Sequence, residues 1–184
     1  MIFFAILSTA IALFMFWLFV VAGVSKLNPS NRGYYLGVLS GYGIALPELA
    51  KVMVWIVGGL EVLTGILVLL PESRLIGTLL CAIMLGSYLF LFAQQIRQGK
   101  IDVDCGCAGP GGGVTVSPIL LGRNALLLTL LVFLPFANEA SIGSMQFGDW
   151  LLSVLVAVTL ISFSLSAEHL IANAQKLKRL KQSY

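Results

Sequence analysis

The stretch LIGTLLCAIMLGSYLFLFAQQI, Leu75 to Ile96, contains no charged residue and is flanked by Arg74 and Arg97. A bilayer's hydrocarbon core is crossed by about 20 apolar residues in helical form. Every backbone polar group in lipid must be satisfied internally, which leaves helices or closed barrels. No barrel-like alternation of apolar and polar residues appears, so this stretch reads as a transmembrane helix. The rest of the chain parses the same way. Val52 to Leu70 lies between Lys51 and Pro71-Glu72 and holds one charge, Glu61. Met1 to Ser25 is uncharged. Val20-Val21-Ala22 would pass as a signal cleavage site, but the run is longer than a signal-peptide core and no basic segment precedes it, so a retained first span is expected. A fourth span begins near Pro118, where proline suits a first helical turn. It carries Arg123 and ends near Pro135 to Asn138. A fifth covers Trp150 to Ala167.

Composition agrees. Of the 184 residues, 59% are hydrophobic and 10% charged, against about 25% charged in a soluble domain. The formal net charge of +3 is too sparse for a nucleic-acid footprint. The expected fold is an all-α integral membrane protein. Residues 1–137 would form a four-helix transmembrane core with a loop at 97–117, and residues 138–184 a fifth transmembrane helix with a basic tail, Lys176 to Lys181. The tail suits anionic lipid headgroups. Between the first two spans, Asn28-Pro29-Ser30 reads as a turn. Tyr34, Tyr35, Leu36, Leu39 and Tyr42 then recur at roughly helical spacing, as expected of a short interfacial helix.

The loop from Arg97 to Ser117 holds the chemistry. It contains Asp102, Asp104, Cys105, Gly106, Cys107 and Ala108, and five glycines fall between Gly106 and Gly113. It lacks the Gly-Lys-Ser/Thr ending of a phosphate-binding loop. Cysteines two apart close a disulfide only in a small, strained ring, which Gly106 eases, and strained exposed disulfides are the oxidising, exchangeable ones. A static disulfide, idle thiols or a soft-metal site are the alternatives. No third ligand is evident for a metal, because Cys81 lies inside the third span and His169 beyond the fifth. Redox exchange through Cys105 and Cys107 is the preferred reading.

Ionisable side chains at bilayer depth point by default into the bundle or a hydrated cavity. Glu61 is expected there, either neutral or ionised against a cation. Arg123 is the intramembrane cation available to it, one to two turns in from the loop. Glu61, Arg123 and Asn124 are therefore expected to line one polar pocket beneath the two cysteines, able to hold a lipid-soluble electron acceptor and to relay the protons released by thiol oxidation; a purely structural ion pair is the alternative.

Several motifs in order carry a resemblance. They are Ala22-Gly-Val-Ser-Lys-Leu27, Leu46-Pro47, Gly59-Leu-Glu61 with Thr64-Gly65, Asp104-Cys-Gly-Cys107-Ala-Gly109, and Gly122-Arg-Asn124. Over roughly Phe16 to Pro135 the chain resembles the MauE family of methylamine-utilisation proteins, within the DoxX-like membrane superfamily. Its four-helix plan is also similar to that of vitamin K epoxide reductases. Ala108 stands where the family more often has an aromatic residue. The resemblance implies a role in maturing methylamine dehydrogenase, together with a thioredoxin-like MauD-type partner kept oxidised. It makes Cys105 and Cys107 the redox pair, a membrane quinone (ubiquinone or menaquinone) the acceptor, and Glu61, Arg123 and Asn124 pocket residues. A non-catalytic membrane anchor for a periplasmic redox partner is the alternative function.

Sidedness divides the indicators. With five spans the cysteine loop shares a side with Lys26, Arg32, Lys51, Arg97, Lys100, Arg123 and the tail's Lys176, Lys178, Arg179 and Lys181, leaving only Arg74 opposite. The positive-inside rule puts that side in the cytoplasm. Disulfide chemistry belongs outside it. The chemistry is given precedence, which places the protein in a bacterial inner membrane with the loop extracytoplasmic.

Overall fold

The computed structural model describes residues 2–44, 46–99, 103–106, 109–110, 114–136 and 145–182, with side chains to 177. Cys107, Ala108, Lys100 and Asp102 lie outside the described residues. The chain is an all-α integral membrane protein, and among the described residues five helices are long and apolar enough to cross a bilayer. Helix α1 is Ile2–Leu27, followed by a 3-10 turn over Pro29–Asn31 and the short helix α2, Arg32–Gly41. Helices α3 (Pro47–Leu69) and α4 (Arg74–Arg97) follow. Helix α5 (Pro118–Leu130) tightens into a 3-10 segment, Leu131–Phe136, that contains Pro135. Helix α6 runs Phe147–Gln182.

Boundaries fall where local chemistry sets them. Proline occupies the first turn of α3 and of α5, where its missing N–H costs nothing. The Ser117 hydroxyl caps α5 by accepting from the Leu120 N–H at 3.4 Å. The Asn28 side chain accepts from the Ser30 N–H at 3.0 Å and closes the turn before α2. Two helices exceed the sequence expectation. Helix α3 starts at Pro47 rather than Val52, because the polar turn Glu48–Lys51 is itself helical, tied by the Lys51–Glu48 pair at 2.7 Å. Helix α6 continues past Ala167 through its charged end.

The core sits where α1 packs on α3, α6 and the 3-10 segment, with α4 and α5 closing it, and includes Ile11, Met15, Phe19, Val68, Leu85, Leu127 and Leu134. Cys81 is fully buried within it, as a small apolar side chain. Small residues let membrane helices approach closely. A Cβ on Gly23 of α1 would stand 2.6 Å from the Gly58 carbonyl oxygen of α3 and 2.7 Å from Val62. That contact sets the register of α1 on α3, and it lays the last turn of α1 beside Gly58 in the middle of α3.

Candidate functional site

The α1–α3 register brings Lys26, the penultimate residue of α1, onto Glu61. The Lys26 Nζ stands 2.9 Å from both carboxylate oxygens. The Tyr88 hydroxyl of α4 donates a short hydrogen bond to the same Oε1. Glu61 is 1% exposed and the Lys26 side chain 10%, so this is a buried ion pair with a third polar partner. The expected pairing of Glu61 with Arg123 does not form. Arg123 instead donates from Nη1 to Glu168 of α6 at 2.6 Å. Lys26 reads in sequence as a charge flanking the first span, and only the Gly23–Gly58 crossing turns it inward.

Two cavities meet at this cluster. The first, about 230 Å³, is walled by Tyr35, Val38, Leu39 and Tyr42 of α2, by Met53, Val54 and Val57 of α3, and by Tyr88, Leu91 and Phe92 of α4. Lys26 supplies its charge, and Cys105 and Gly106 form its loop wall. The second, about 140 Å³, is lined by Trp17, Phe19, Ala22, Glu61, Tyr88, Arg123, Asn124 and Glu168. Glu61, Arg123 and Asn124 therefore do share a pocket. The single pocket expected beneath the cysteines is two, however. Cys105 lines the other one, and Tyr88 lines both.

The cysteine loop is held from two directions. Val103 to Cys105 pairs antiparallel with Val114 to Val116: the Cys105 N–H donates to the Val114 carbonyl at 3.1 Å and the Val116 N–H to that of Val103 at 2.9 Å. Gly106 has φ +69°, in the region where side chains are strained, and its N–H donates to Asp104 Oδ1 at 3.4 Å. Burial, then the neighbouring Asp104 carboxylate, push the Tyr34 phenol well above its ordinary range, which keeps a protonated hydroxyl beside the loop. From the far side, Gln175 of α6 grips Thr115 with its whole amide: the Thr115 N–H donates to Oε1 at 2.9 Å, and Nε2 donates to the Thr115 carbonyl at 3.0 Å. Cys105, Phe92, Val114, Val116, Leu120 and Ala172 pack together around that grip.

Sequence reasoning found Cys105, Glu61, Arg123 and Asn124. It missed Lys26, Tyr88, Glu168 and Gln175. For Glu168 and Gln175 the signal was present: a carboxylate and an amide seven residues apart, two turns on one helical face, directly after an uncharged run. Replacing Gln175 with Leu leaves the Thr115 N–H and carbonyl without these partners, at a cost of roughly 1–3 kcal/mol to the loop's local stability. We expect thiol-reagent labelling of reduced Cys105 to quicken by about tenfold or more, as that penalty converts to an opening equilibrium, while the helical content measured by circular dichroism stays unchanged.

A family model described as Methylamine utilisation protein MauE matches residues 4–137. The chain is similar to the methylamine utilization protein MauE of Paracoccus denitrificans, 29% identical over 138 residues, covering 72% of this chain and 73% of the relative. It is similar to that of Paracoccus versutus, 28% identical over 153 residues, covering 79% and 80% respectively. The MauE of Methylophilus methylotrophus is 27% identical over 100 residues, covering 52% and 50%. No solved structure matches the chain.

Proposed function

The chain belongs to the MauE family of methylamine-utilisation proteins, and from that premise we propose that it is a membrane thiol–disulfide oxidoreductase. In this reading Cys105 and Cys107 form the redox pair. Their disulfide oxidises the thiols of a thioredoxin-like, MauD-type protein, and their electrons go to a membrane quinone. The process supports disulfide formation in maturing methylamine dehydrogenase, at the outer face of a bacterial inner membrane.

The observation that carries the reading is the position of Cys105, on the wall of an apolar cavity at one end of a helical bundle, with an ammonium and three tyrosines on the other walls. The cavity suits the acceptor class. At about 230 Å³ it is smaller than the roughly 300–1,000 Å³ of pockets for drug-sized ligands, which fits one ring rather than a whole prenylated molecule. Apolar walls with a few polar groups are what such a ring requires. When bound, a quinone supplies a two-electron sink. The protein's residues do the rest. Gly106, at φ +69°, turns the loop directly after Cys105, and the paired segments 103–105 and 114–116 hold Cys105 on the cavity wall. Lys26, held by Glu61, places an ammonium on the same cavity as Cys105, and a nearby cation favours the thiolate form of the reduced pair.

The test is direct. The protein is purified in detergent with its lipids, its Cys105–Cys107 pair reduced, and a short-tailed ubiquinone analogue added, with and without an oxidisable thioredoxin-like protein. Stoichiometric reduction of the analogue, with the two thiols converted to a disulfide, is the expected result. Thiols that persist while the analogue stays oxidised would sink the reading.

A further inference from the structure

The Lys26–Glu61 pair stands between the two cavities: Lys26 lines the cysteine cavity, Glu61 lines the second, and Tyr88 lines both. Two buried donors at the second cavity lack partners among the described residues. Asn124 is 3% exposed, and its Nδ2 has no hydrogen-bond partner among the described residues; neither has the buried Arg123 Nε. Buried donors are nearly always satisfied, and a buried water needs two to four polar partners. Glu61, Tyr88, Arg123, Asn124 and Glu168 supply them around about 140 Å³, room for about four waters at roughly 30 Å³ each.

We propose that this second cavity is a hydrated proton reservoir, and that the Glu61–Lys26 pair hands protons from it to the cysteine cavity. The inference rests on the oxidoreductase reading. Closing the disulfide breaks two S–H bonds, forms one S–S bond and sends two electrons to a quinone, which becomes a quinol only by taking two protons on its oxygens. Twice per quinol formed, Lys26 gives up an Nζ proton on the cysteine-cavity side and Glu61 restores it from the water side. The thiol protons leave at the loop, so protons and electrons balance. Among the described residues, the charged and titratable groups that share cavities with the pair are Arg32, Tyr35 and Tyr42 on α2, Lys51 on α3, Tyr88 on α4, Cys105 in the loop, Arg123 on α5 and Glu168 on α6.

Arginine at position 26 separates relay from structure, because it keeps a cation for Glu61 yet does not release its proton. Two rates are compared in lipid nanodiscs: oxidation of dithiothreitol by the preformed disulfide, and reduction of a short-tailed ubiquinone analogue by the reduced protein. For K26R and for E61Q the ratio of the second rate to the first falls by roughly 10²-fold, the usual worth of a positioned proton donor. Independently of any quinone, the infrared difference spectrum between dithiothreitol-reduced and oxidised protein contains a carboxyl band that shifts in D₂O and is missing in E61Q. An unchanged rate ratio in K26R, or no Glu61 band, overturns the relay. A wild-type protein that never reduces the analogue overturns the oxidoreductase reading instead.

Discussion

Serine at position 105 or at position 107 brings disulfide transfer to a thioredoxin-like partner down to the uncatalysed background. The hydroxyl cannot form or accept a disulfide, so no partial activity is expected, in contrast to a positioning residue whose loss costs a finite factor. The same variants weigh the two functional readings. A membrane anchor that merely stabilises a redox partner tolerates both changes, since serine is close to cysteine in size and Cys105 contributes one small side chain to the cluster around Phe92 and Leu120. Methylamine-dependent growth and the partner's redox state, read by thiol trapping, give the outcome. The thiol that each variant retains also reports sidedness. In intact cells a membrane-impermeant reagent labels it if the loop faces outward; labelling only after lysis assigns the loop to the cytoplasm, as the distribution of lysines and arginines favours.

The second large effect concerns the buried ion pair. Removing one member of such a pair typically costs 3–5 kcal/mol, because the other charge is left in a poorly solvating interior. Lys26→Met is therefore expected to lower the thermal midpoint in detergent sharply. Adding Glu61→Gln recovers much of the loss, since the remaining amide is neutral and keeps Tyr88 as a partner. A double-mutant cycle measures the coupling. A double variant destabilised by the sum of the two single losses would show that the two charges do not interact.

The sequence reveals the spans because charge is so expensive in lipid: Leu75 to Ile96 delimits α4 to within a residue of Arg74–Arg97. Chemically conspicuous residues, Cys105 and Glu61, were equally plain. Partnership was not. Glu61 and Lys26 are separated by 35 positions, and their meeting depends on how deeply two glycines let α1 settle on α3, a distance that no local pattern encodes. The end of α6 was hidden for the opposite reason. A rule that seeks uncharged runs stops at Ala167, although the helix, its backbone satisfied internally, continues to Gln182 and carries Glu168 and Gln175 with it.

That continuation orders events during biosynthesis. Thr115 and Gln175 are 60 positions apart, and ribosomes add about 5–20 residues per second, so the nascent reactive loop waits roughly 3–12 s before its brace has even been translated. Until α6 has inserted, the segment carrying Cys105 has only its own 103–105/114–116 pairing to hold it, so the Gln175 brace is the last part of this site to form.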